Sequence, residues 1–86
     1  MVELELNLGA AEALAECTRR GLVVRSEREL AGLPGSHHWH FGFPDRPGTI
    51  ELSEWQNRAS VKVHPRRDGG WANALARELA SLQTPR

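Results

Sequence analysis

The sequence predicts an α+β domain: an antiparallel sheet of three to four strands, two helices packed on one face, and a possible extra N-terminal strand. Three observations support that class. Residues at helical spacing mark one segment near each end of the chain. Between them lie short apolar/polar alternations separated by proline- and glycine-rich turns. Two of these alternations, 49–55 and 58–64, are joined by only two residues and match face to face when folded together.

Length and composition bound the rest. With 86 residues, the chain forms one domain over 1–86, burying about 60–65% of the surface its unfolded chain exposes. A hydrophobic content of 40% is too apolar for a disordered chain. Eleven bases balance eleven acids, so the global field typical of strong nucleic-acid binders is missing. The charges are unevenly placed. Residues 1–16 carry Glu3, Glu5, Glu12 and Glu16 without a base, whereas 46–67 carry Arg46, Arg58, Lys62, Arg66 and Arg67 against Glu51 and Glu54. A local basic patch is compatible with that distribution. The single Cys17 excludes an internal disulfide and a cysteine-based zinc site, and among alanines it reads as a small core residue. With no apolar run of membrane-spanning length and an acidic, unsignal-like start, the expectation is a cytoplasmic protein without a membrane partner.

Along the chain, Val2-Glu3-Leu4-Glu5-Leu6-Asn7-Leu8 alternates strictly, as a half-buried strand does. Asn7 could instead cap a helix starting at Leu8, which would shorten that strand. Ala10 to Arg20 is rich in helix formers, with Gly21 placed to end the helix in a left-handed residue. Leu22 to Ser26 reads as a strand that can extend to Glu29, followed by a loop over Ala31, Gly32, Leu33, Pro34 and Gly35. His37 to Phe43 is the next strand, with Trp39, Phe41 and Phe43 on one face and His38 and His40 on the other. Pro44-Asp45-Arg46-Pro47-Gly48 is a turn leading to a strand from Thr49 to Trp55.

Gln56-Asn57 then makes a two-residue turn to Arg58–His64, although the usual glycine is missing. That register sets Leu52 beside Val61, Ile50 beside Val63, Glu51 beside Lys62 and Trp55 beside Arg58. Trp71, Leu75, Leu79 and Leu82 mark the buried stripe of a closing helix, with Asp68 placed to favour its start. Leu14, Leu22, Val24, Trp39, Phe41, Phe43, Ile50, Leu52, Val61, Val63, Trp71, Leu75 and Leu79 form the expected core.

The chemistry-bearing residues are the histidines. Three of the four fall within His37-His38-Trp39-His40, and the fourth, His64, ends a later strand. Histidine titrates near neutral pH, moves protons and binds metals. A metal site needs three or four converging ligands, and nothing in the spacing of His38, His40 and His64 with Glu51 or Asp45 demands one. Neither a metal nor another cofactor is expected. General acid–base chemistry on a ribose 2′-hydroxyl is open to such a histidine if Arg46, Arg66 or Arg67 holds the phosphate. On the polar sheet face, His38, His40, Trp55, Arg58, Lys62 and His64 would form an aromatic and basic surface able to stack bases and hold phosphates. The same residues also suit an ordinary solvated sheet face.

Glu12 to Val24, the loop beyond it, Gly35-Ser36-His37-His38, and Phe43-Pro44-Asp45-Arg46-Pro47-Gly48-Thr49-Ile50 together resemble the HicA-type toxins. The resemblance covers about half the chain in order; the Gly-Ser-His stretch and the Pro-Gly turn match residue for residue. It implies a double-stranded-RNA-binding-domain-like fold and a bacterial toxin–antitoxin mRNA interferase. His37 would then be the catalytic histidine, with the sheet facing RNA. RNA-contacting positions would be His38, His40, Arg46, Trp55, Arg58, Lys62, His64, Arg66 and Arg67. The alternative from another class is a non-catalytic protein-interaction or assembly module, such as a homodimer, using Trp55 and the acidic first strand.

Overall fold

The computed structural model describes residues 1–29 and 35–83. Its elements run β1 (Val2–Glu5), α1 (Ala10–Arg19), β2 (Val23–Glu29), β3 (His37–Gly42), β4 (Ile50–Trp55), β5 (Arg58–Val63), a 3₁₀ turn (Pro65–Arg67) and α2 (Ala72–Ser81). The class is α+β as expected, and the optional N-terminal strand is the fifth member of one antiparallel sheet ordered β1-β5-β4-β3-β2. The loop expected over Ala31, Gly32, Leu33 and Pro34 lies outside the described residues.

β1 joins β5 because their patterns complement each other on both faces. Val2 pairs with Val63 and Leu4 with Val61 on one side, while Glu3 meets Lys62 on the other. The chain then has to cross the whole sheet, since β2 forms the opposite edge. α1 makes that crossing, and Gly9, not Asn7, caps its start. Glu12 Oε2 accepts the Gly9 amide at 2.9 Å, whereas Asn7 bridges to Gln83. The far end is a Schellman motif. Gly21, at φ +92°, donates to the Thr18 carbonyl at 3.0 Å, and Leu22 donates to the Cys17 carbonyl at 3.1 Å.

Arg20 then ties the two helices together, donating to Glu16 at 2.8 Å and to Glu78 at 2.7 Å. Arg19 and Arg20 beside Glu16 hold its carboxyl well down, at about 2.

The hairpin register matches the sequence reading: Glu51 faces Lys62, Leu52 faces Val61 and Trp55 faces Arg58. Gln56 and Asn57 both take positive φ, at 50° and 63°, so the turn is of the primed type even without glycine. Asp68 favours the start of α2 from just before it, its carboxylate accepting the Asn73 amide at 2.7 Å. Trp71 donates its indole N–H to the Pro47 carbonyl at 2.8 Å and meets Phe43 edge-on at 4.8 Å. The β3–β4 connection is thereby stapled to the closing helix.

Both helices pack over β1, β5 and β4, and the core lies beneath them. Phe41, Ile50, Leu52, Val61, Val63 and Leu79 are fully buried there, and Trp39, Leu22 and Leu75 are buried too. Leu14, Phe43 and Trp71 are only partly buried at its margin.

Val24 departs from the expected core. It is 49% exposed although it pairs with the buried Phe41. Its strand is the sheet edge that the helices do not cover, so correct parity brings no burial. A bulge between Val24 and Ser26 also frees Arg25, which donates to the Phe43 carbonyl at 2.6 Å and the Gly48 carbonyl at 3.3 Å. The guanidinium crosses Gly42 in the space a Cβ would fill.

Candidate nucleic-acid interface

The face of the sheet away from the helices holds the chemistry. Antiparallel register sets His38 opposite Ser53 and His40 opposite Glu51 across β3–β4, and Glu51 opposite Lys62 across β4–β5. Alternation therefore collects side chains from three strands around one carboxylate. His38 Nδ1 lies 3.1 Å from Glu51 Oε1, and His40 Nε2 lies 3.9 Å from the same oxygen. His64 Nε2 lies 4.0 Å from Oε2. The Glu51 side chain is only 15% exposed, shielded by the three imidazoles.

Hydrogen bonds set the ring orientations. Ionised Glu51 can only accept, so His38 Nδ1 carries the proton it donates there, and Ser53 Oγ at 2.9 Å shares that donor. On His40, Ser26 Oγ lies 2.8 Å from Nδ1. A hydroxyl donating to Nδ1 leaves the Nε2 proton turned toward Glu51. Ser26, His40 and Glu51 thus form a chain, but the carboxylate is beyond hydrogen-bond reach of His40 and is shared with two other rings. Ser26 serves to orient the imidazole.

Beside this cluster the face opens into a cleft of about 450 Å³ lined by His40, His64, Pro65, Arg66 and Arg67. Pro65 and the 3₁₀ turn fold the chain back so that both arginines stand at its rim. Neither arginine forms an ion pair among the described residues. Two imidazole rings and two guanidinium groups surround this open cleft, a setting suited to an anion.

The other residues anticipated for binding are placed less uniformly. Trp55, 44% exposed, and Arg58 sit at the opposite end of the same face, where they line a second cleft of about 310 Å³ with Glu3 and Glu5. β1 neutralises part of the anticipated basic patch: Lys62 approaches Glu3 at 3.7 Å and Arg58 approaches Glu5 at 4.0 Å. Arg46 lies apart from the cluster. Its guanidinium stacks 4.4 Å above Phe43 and lines a cleft with Trp71, Leu75 and Glu78 beside α2.

His37 takes the parity of Trp39 and stacks on it at 5.7 Å, on the side opposite the histidine cluster. Ser36, before it, is buried with its hydroxyl unpartnered among the described residues. Cys17 is buried, and that burial pushes its thiol up to about 11, so it is no nucleophile.

Sequence reading placed His38, His40 and His64 on the open face and named Glu51 beside them only as an alternative metal ligand; it missed Ser26 as an orienting group. The signal for both is cross-strand register, and the β2–β3 part of it depends on a bulge.

Among the described residues no three histidine, cysteine or acidic side chains are placed to hold a metal ion, and no helix is long and apolar enough to cross a membrane. The chain matches no protein-family model, no curated protein and no solved structure.

Proposed function

We propose that this protein binds RNA on the open face of its sheet. The observation that carries the proposal is the cleft of about 450 Å³ between His40 and the His64–Arg67 turn, with two arginines at its rim that form no ion pair among the described residues. His38, His40 and His64 supply hydrogen-bonding rings beside it, and exposed Trp55 gives a base a surface to stack on at the far end. The protein needs no basic global charge for this, because phosphate contact is local.

The test is fluorescence anisotropy with labelled octauridylate over a salt series. Binding at low salt should weaken as salt rises, with a log–log slope near −0.7 per phosphate contacted. Arg66→Ala with Arg67→Ala should weaken binding and flatten that slope by about 1.4. Absence of binding at low salt refutes the proposal, as does unchanged binding in the double variant. Strand cleavage in the manner of the HicA-type interferases, with His37 as the base, is a separate proposal: His37 lies on the helix side against Trp39, so it calls for an RNA segment that passes round the sheet from the open-face cleft. Growth arrest on induction, relieved by His37→Ala at equal soluble expression, is its expected sign.

A second reading is favoured by one observation. Val23 and Val24 are 43% and 49% exposed on the edge strand β2, where another strand could pair. In that reading the domain is an assembly module, and light scattering after size exclusion should show a dimer that Val24→Lys dissolves.

A further inference from the structure

We infer that the cleft at His40 and His64 holds its phosphodiester more tightly when these imidazoles are protonated against Glu51, making RNA binding proton-dependent. The inference rests on the RNA-binding reading and adds the regulation of that site.

The floor of the cleft changes sign with proton occupancy. When both rings are neutral, they still stand over the Glu51 carboxylate, 3.9 Å from His40 Nε2 and 4.0 Å from His64 Nε2. An incoming phosphate then meets a negative floor beneath two positive rim residues. One proton on each ring adds two positive charges there and turns a floor of one negative charge into one of one positive charge. Imidazolium also presents N–H donors from both ring nitrogens, where the neutral ring has one donor and one acceptor. Glu51 is well placed for the neutralising part because it is held in position by His38 and is largely withdrawn from solvent.

The remaining groups facing the two rings do not undo this. β2 contributes the neutral Ser26, hydrogen-bonded to His40, and Arg28 in register with His38. β3 contributes His38, which adds a further proton site on the same carboxylate. β5 contributes Lys62, whose charge is engaged by Glu3 of β1. The turn after β5 contributes Arg66 and Arg67. Among the described residues Glu51 is the carboxylate within reach of both rings, so it dominates the floor at high pH.

Each required proton weakens binding about tenfold per pH unit above the range in which histidine titrates, and two required protons about a hundredfold. The closing experiment measures octauridylate affinity at constant ionic strength near pH 6 and pH 8, using a pH-insensitive dye. The phosphodiester backbone keeps its charge across that range, so any change belongs to the protein.

Wild type should bind at least about tenfold more tightly near pH 6. His40→Asn with His64→Asn should remove that difference, leaving equal affinity at the two pH values, and His64→Asn alone, at a half-exposed position, should halve its logarithm. Glu51→Gln should bind more tightly than wild type near pH 8. Circular dichroism at both pH values checks that each variant is folded.

Equal wild-type affinity at the two pH values overturns the proton dependence and leaves RNA binding intact. Persistence of the difference in the double histidine variant does the same. A wild-type protein that binds at neither pH overturns the RNA reading itself, and the regulation with it.

Discussion

Phe41 and Val24 are direct cross-strand partners, yet truncating them should have very different consequences. Phe41 is 0% exposed under the helices, whereas Val24 is 49% exposed on the uncovered edge. A buried phenylalanine withdraws upward of about 150 Å² from water, which at about 25 cal/mol per Å² is near 4 kcal/mol. Removal of its ring also leaves a cavity, so Phe41→Ala should cost about 3–5 kcal/mol. A domain of this length has a total stability of about 4–13 kcal/mol, so that loss approaches unfolding at the lower end. Val24→Ala gives up two methyl groups that are half in water already, a cost below about 1 kcal/mol. Urea denaturation followed by tryptophan fluorescence reads both. The midpoint of Phe41→Ala should fall sharply with an unchanged slope, and that of Val24→Ala only slightly. Comparable losses in the two variants would refute the claim that helix coverage, rather than strand parity, decides what this sheet buries.

Three further outcomes follow from local structure. Gln56 and Asn57 hold positive φ without glycine, so replacing the pair with Asn-Gly should stabilise the hairpin by about 0.5–1 kcal/mol in the same denaturation assay. Glu16 is held near 2 by Arg19 and Arg20, below its ordinary 4.5. A lowered folded value means that its contribution is present above the ordinary value and disappears as pH falls from about 4.5 toward about 2. Glu16→Gln should therefore lower the melting temperature near neutrality and flatten its decline across that acid window. Cys17 is buried with its thiol raised to about 11. Iodoacetamide near pH 8 should modify it only on unfolding, so the labelling rate should rise in Phe41→Ala.

The parts of the fold that were legible in the sequence are those in which neighbouring segments constrain each other. Residues 49–64 can pair in one register that matches apolar to apolar and Glu51 to Lys62, and the structure has that register. Gly21 could be assigned to the helix end because a left-handed residue was needed between α1 and a following strand. Asp68 was similarly legible as favouring the helix start, and the sheet parity of His38 and His40 followed from Trp39 and Phe41.

Long-range information was different. Whether β1 lies beside β2 or beside β5 is decided by a pairing across most of the chain, and alternation alone is the same in either case. Val24 was misjudged for that reason: its parity was right, but which strands the helices cover depends on the strand order. The histidine site suffered a related limit. Its face was readable from a period of two, whereas the meeting of three imidazoles at Glu51 requires the registers of β3–β4 and β4–β5 together.

The first of those registers is set by the 44–48 connection, and Arg25 and Trp71 fasten that connection from distant elements through the carbonyls of Phe43, Gly48 and Pro47. Slippage of β3 by one residue would turn His38 and His40 to the helical side and send Trp39 and Phe41 into solvent. The core therefore enforces the geometry of the histidine cluster: the burial that stabilises Phe41 and Trp39 beneath the helices also holds His38 and His40 against Glu51 on the open face.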